Sequence, residues 1–215
     1  GLTFIQQDDD VFVGISGFEN LDVFASNTIF QGSNEIFVAL NNITTTSGAT
    51  DVTLKSFGNV LNLSTTNVSS GISRLEANAD DFGGGVNLID ANDNIGRTLV
   101  GTADIDTLSG IGGNDIFLMG LGRDVLSGGA GDDSFVINTG QDISDGLFLS
   151  GGDGTDRLVV NSTEITNLSF PINTTSFATL EIIDLSGGST EGVSMTIAGR
   201  QINLIPQLIG NGTAD

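Results

Sequence analysis

The sequence contains no Cys, His, Trp or Tyr, and only two prolines, Pro171 and Pro206. Without Cys or His, a structural zinc site, a thiol enzyme and a histidine-based nucleophile are all excluded. Without Cys there are also no disulfides, so a secreted chain of this kind needs another staple, and a bound metal is the usual substitute. Positive charge is scarce. Lys55, Arg74, Arg97, Arg123, Arg157 and Arg200 stand against 27 acidic residues, for a formal charge of −21. Such a surface repels phosphate backbones and anionic lipid, so nucleic acid is a poor partner and cations are good ones. No stretch approaches the run of about 18 apolar residues that a membrane span requires, so no membrane insertion is expected. Helical periodicity is also missing, because no long segment repeats apolar residues at i, i+3, i+4 and i+7.

What is present is aspartate and glycine. The acids divide into 21 Asp and 6 Glu, and there are 31 Gly. Salt-bridged helices favour Glu, whereas tight turns and hard-cation sites favour Asp, and glycine supplies the positive φ that turns need. A metal held by this chain must therefore accept oxygen ligands. Short runs of Val, Ile, Phe, Leu and Thr lie between the turn residues and read as strands. They include Val11–Val13, Glu35–Leu40, Asp51–Leu54, Gly85–Ile89 and Val193–Ile197. The expectation is an all-β chain in three regions: strand-rich flanks at 1–98 and 160–215, and a Gly/Asp block at 99–159. Within the flanks, Gly17–Val23, Gly71–Ala77 and Ser176–Ile182 look like one unit used three times. Phe12, Phe18, Phe24, Phe30 and Phe37 fall at intervals that suit a ladder of core aromatics.

The block aligns in nines. Gly101–Ser109, Gly110–Leu118, Met119–Ser127 and Gly128–Val136 are consecutive, and Gly151–Val159 follows an irregular stretch. Every unit has Asp sixth and a large apolar residue eighth. These units resemble the RTX (repeats-in-toxin) nonapeptide G-G-x-G-x-D-x-U-x, a Ca²⁺-binding repeat.

The resemblance, confined to the block, implies a right-handed parallel β-roll or β-solenoid there, and the strand-rich flanks are expected to be solenoidal too. The first six residues of each unit turn and point carbonyls inward, and the last three form a strand whose eighth residue enters the core. Two units make one coil, and a calcium ion sits between turns stacked eighteen residues apart. It implies Asp106 paired with Asp124, Asp115 with Asp133, and Asp124 with Asp142 if Ile137–Asp142 keeps the turn. Asp133 pairs with Asp156 if extra residues near 146–150 loop out. The turn glycines would be Gly110, Gly112, Gly120, Gly122, Gly128, Gly129, Gly131, Gly151, Gly152 and Gly154. Thr102, Asp104, Ile111 and Met119 stand where the repeat expects glycine, and the stretch 137–150 lacks the apolar eighth residue.

Calcium ions are thus the expected cofactor. The single Lys55 has no motif around it, and the paired carboxylates are taken by calcium, so no enzymatic activity is expected. The style of the chain, without Cys and rich in Thr, Ser and Asn, is similar to RTX-bearing bacterial surface-layer proteins. That likeness implies a structural segment of a large extracellular or cell-surface protein, with copies of itself in an array as a further partner. The alternatives are the calcium-folding module of a type I-secreted enzyme or toxin, and an adhesin segment. Leu208–Asp215 repeats the pattern of Leu99–Asp104, as if a new repeat were beginning.

Overall fold

The structure is a computed structural model. It describes residues 2–6, 18–24, 26–45, 48–77, 84–138, 147–163, 167–170, 176–188, 194–197 and 207–210. The chain is all-β, and every strand pairing among the described residues is parallel. Two sheets dominate, one of nine strands and one of six, and from Asn87 to Val160 successive strands alternate between them, whereas Asn167–Phe170 and Ser194–Ile197 pair in a small sheet of their own. Asn87–Ile89, Thr107–Gly112, Val125–Ala130, Phe148–Asp153 and Ser176–Ala178 belong to the six-stranded sheet. Thr98–Val100, Ile116–Leu118, Ser134–Ile137, Arg157–Val160 and Ile182–Asp184 belong to the nine-stranded one.

The alternation follows from the sequence period. Each nonapeptide ends in a strand, and the turn before it carries the chain to the other sheet. Leu108 therefore pairs with Leu126 and Phe117 with Phe135, one coil apart. The eighth residues Leu108, Phe117, Leu126, Phe135 and Leu158 are all buried in one cluster drawn from both sheets. Phe117 and Phe135 stack with ring centroids 4.8 Å apart. Burying each of these side chains stabilises the fold by about 1.5–3 kcal/mol. The nine-stranded sheet also takes strands from both flanks, from Ile29–Gly32 at one edge to Gln207–Ile209 at the other.

Several expectations are corrected. The run 35–40 is not a strand, because Asn34–Ala39 forms a short helix with Phe37 buried. A six-residue apolar run carries too little periodicity to separate the two, and Ser33 ahead of it supplies an extended entry at φ −76°, ψ 157°. Phe30 and Phe37 do pack edge to face in the core, but Phe24 is exposed; Phe12 and the Phe18 side chain lie outside the described residues. The three look-alike flank units fall in three different sheets, so they are not equivalent rungs. The stretch before Gly151 does supply an apolar eighth residue, Leu149, which pairs with Leu126. Because Phe148–Ser150 are already in strand, the extra residues lie between Ile137 and Leu147.

Candidate functional site

Each sixth-position aspartate sits one residue before a strand, where the turn closes onto the sheet. Asp106, Asp115, Asp124, Asp133 and Asp156 are all buried, none more than 1% exposed. Their carboxylates reach back along the stack. Oδ1 accepts a backbone N–H from the preceding coil: Val86 to Asp106 at 2.6 Å, Arg97 to Asp115 at 2.7 Å, and Asp106 to Asp124 at 2.9 Å. Asp115 donates to Asp133 and Asp133 to Asp156, both at 2.8 Å. Two files result, Asp106–Asp124 along one edge and Asp115–Asp133–Asp156 along the other. The expected partners are thus brought together at three of the four pairs. Asp142 lies outside the described residues, and the rung that follows Asp124 is occupied by Leu147, because Phe148 N–H donates to the Asp124 carbonyl.

The second carboxylate oxygen is the informative one. Oδ2 of Asp115, Asp133 and Asp156 is buried and accepts no hydrogen bond. In each unit it points at the first glycine. A methyl group on Gly110 would lie 2.1 Å from Asp115 Oδ2 and 2.6 Å from the Gly128 carbonyl oxygen. At Gly128 the same distances are 2.0 Å to Asp133 Oδ2 and 2.5 Å to the Gly151 carbonyl. At Gly151 they are 2.1 Å to Asp156 Oδ2 and 2.4 Å to the Thr179 carbonyl. Every first glycine therefore stands beside a carboxylate oxygen and a carbonyl oxygen of the next coil. The second and fourth positions turn the chain: Gly120, Gly122, Gly129, Gly131, Gly152 and Gly154 all have positive φ, and Ile111 shares it at φ 68°. Gly112 sits against the Asp93 carbonyl.

Burial makes these carboxylates reluctant to ionise. Desolvation lifts the Asp115 carboxyl to about 9 and that of Asp133 to about 6, against the backbone hydrogen bonds that favour the charged form. Asp106 and Asp156 move in the same direction for the same reason. A buried carboxylate with an orphaned oxygen is costly unless a cation compensates it. A hard cation with oxygen ligands fits this donor set. No three Asp or Glu converge on one point among the described residues. An ion would thus take one carboxylate from each of two coils and carbonyls for the rest.

Two members were not found from the sequence. Arg97 stands one coil before Asp115, where a sixth-position aspartate would fall. Its side chain is fully buried, pairing with Asp90 at 2.9 Å and Asp93 at 3.0 Å and donating to the Ile72 and Val68 carbonyls. Extending the eighteen-residue step backward from Asp115 would have placed it. At the other end, Asp156 N–H donates to Glu181 Oε2 at 2.7 Å, which adds a fourth carboxylate to the longer file. Asp106 differs from its neighbours in kind. Thr102, in a glycine position, gives it both a backbone N–H at 2.6 Å and a hydroxyl at 2.9 Å.

Comparisons with family models, with curated proteins and with solved structures returned no match for this chain.

Proposed function

We propose that the chain is a calcium-binding structural segment of a secreted or cell-surface protein, folded as a right-handed parallel β-roll with solenoid flanks. The observation that carries this reading is the row of buried, unpartnered Oδ2 atoms on Asp115, Asp133 and Asp156, each beside a glycine and a carbonyl of the next coil. Asp115 with Asp133, Asp133 with Asp156, and Asp106 with Asp124 would hold the ions. Calcium there neutralises charge that the fold itself leaves uncompensated.

The role is mechanical rather than catalytic. Extracellular modules bind calcium with Kd of roughly 10⁻⁴–10⁻³ M. Free calcium at about ten times Kd stabilises by ~1.4 kcal/mol per site. Three sites then contribute ~4 kcal/mol, a large share of the total stability of a marginal domain. The segment would order outside the cell and stay loose at cytosolic calcium. No helix among the described residues is long and apolar enough to cross a membrane. Association with further copies in a surface array is the second half of the proposal, resting on the likeness in style to surface-layer proteins.

Circular dichroism during titration from EGTA to millimolar Ca²⁺, with size-exclusion chromatography at both ends, tests it. The expected result is a cooperative gain of β signal with compaction. Large assemblies in the same step support the array, whereas a compact monomer favours the secretion module of an exported enzyme. A fully folded chain in EGTA that binds no calcium overturns the reading.

A further inference from the structure

Beyond the last nonapeptide, the turn Thr179–Glu181 takes over from the glycine-rich turns. The strand register carries Ser150 onto Ala178 and Arg157 onto Ile182. Thr179 therefore falls on the rung of Gly151, and Glu181 on that of Asp156. The six residues Gly151–Asp156 are matched by only three, Thr179-Leu180-Glu181. The residue on the Asp156 rung of this shorter turn is a glutamate, one methylene longer than the aspartates of the block. Glu181 Oε2 accepts the Asp156 N–H at 2.7 Å, as Asp156 Oδ1 accepts that of Asp133 at 2.8 Å.

The first-position carbonyl is conserved in place as well. The Thr179 oxygen lies 2.4 Å from where a Gly151 methyl would be, matching the Gly151 oxygen at Gly128, 2.5 Å. Thr179 reaches this position at φ 59°, a left-handed conformation unfavourable for a β-branched residue. Its hydroxyl, accepting the Gly152 N–H at 2.7 Å, fixes the corner. Between the two turns points Asp156 Oδ2, from a fully buried side chain, without a hydrogen-bond partner. No lysine or arginine pairs with Asp156 or Glu181 among the described residues.

We infer that the file of cation sites runs one coil past the nonapeptides, to a divalent-cation site that Asp156 shares with the Thr179 carbonyl and Glu181. This rests on the calcium reading above. Asp156 then serves two ions, one with Asp133 and one with Glu181. The site joins the block to the following flank, so its occupancy ties the strand Ile182–Asp184 to the calcium-dependent part of the molecule.

Calcium stoichiometry by isothermal titration of the full chain, with terbium luminescence as a second count, tests the site. Glu181→Gln is expected to bind one ion fewer than the parent, or to hold one at least tenfold more weakly, and Asp156→Asn to lose two. Glu181→Asp, which keeps the charge but shortens the arm, is expected to behave like Glu181→Gln. Circular dichroism with calcium checks that each variant keeps its β signal. Equal stoichiometry and affinity in the parent and Glu181→Gln would overturn the inference while leaving the calcium reading intact. A parent chain that binds no calcium would overturn that reading instead.

Discussion

The backbone N–H of Asp115 donates to Oδ1 of Asp133 at 2.8 Å, eighteen residues further along the chain. The same carboxylate leaves Oδ2 buried without a partner. One oxygen thus serves the fold and the other does not. Asp133→Asn keeps an acceptor for the Asp115 N–H but removes the buried charge. In EGTA at pH 8 this variant is expected to be more stable than the parent by about 1–3 kcal/mol. In millimolar calcium the order should reverse, since Asp133 belongs to two of the proposed ion pairs. Urea unfolding with and without calcium checks both signs. A variant that is weaker in both conditions would mean that the charge is already compensated.

The pH dependence follows from the raised carboxyls. A carboxyl whose pKa is raised on folding contributes stability that is full below its unfolded value, about 4, and is lost as pH rises through the folded value. Without calcium, melting temperature should therefore fall as pH rises above about 4, the Asp133 share of the loss being complete near 6 and that of Asp115 continuing toward about 9. At Asp133 alone the loss is ~3 kcal/mol once the group is ionised. With saturating calcium the slope should flatten or invert, because the ion requires the ionised form and releases protons on binding. Thermal scans from pH 4 to 9 in EGTA and in calcium give the comparison.

Glycine substitutions separate the site from the rest of the chain. Gly128→Ala places a methyl 2.0 Å from Asp133 Oδ2, on a buried carboxylate pinned at Oδ1 by the Asp115 N–H, and 2.5 Å from the backbone carbonyl of Gly151. A destabilisation of about 2–4 kcal/mol and loss of calcium response are expected. Gly58→Ala meets nothing within 4 Å and should leave both unchanged. Calcium titrations of the two variants side by side provide the control.

Arg97→Ala would strand two carboxylates. Asp90 is buried, and burial already raises its carboxyl to about 7 in spite of the adjacent guanidinium. Loss of the cation is expected to cost about 3–5 kcal/mol, whether or not calcium is present. Replacing Asp90 with Asn in the same chain should recover part of that loss at neutral pH. Denaturant midpoints of the single and double variants measure the recovery.

The central block was legible because its period carries structure and chemistry together. A repeat of nine with Asp sixth and an apolar residue eighth predicts where the strands begin, at Thr107, Ile116, Val125 and Ser134, and the buried residue in each, but not that those of the six-stranded sheet run on through the next unit's first three residues to Gly112 and Ala130. Arg97 and Glu181 were hidden for different reasons. Arg97 occupies an aspartate's rung with the opposite charge, so a search for acids passes over it. Glu181 lies 25 residues beyond Asp156, off the eighteen-residue step, because the connection between their strands is longer. The helix Asn34–Ala39 was missed because six apolar-rich residues suit either conformation until Phe37 finds its place in the core.

The alternation of strands between two sheets also restricts how such a chain can change length. Removing eighteen residues, such as 110–127, takes one strand from each sheet and leaves every later strand facing its former neighbours. Removing nine would send each later strand to the opposite wall and bring its carboxylates to the wrong edge. Duplication and loss in this gene segment are therefore subject to a parity rule. Additions that are not a multiple of eighteen have to be taken up in a turn if the later strands are to keep their walls.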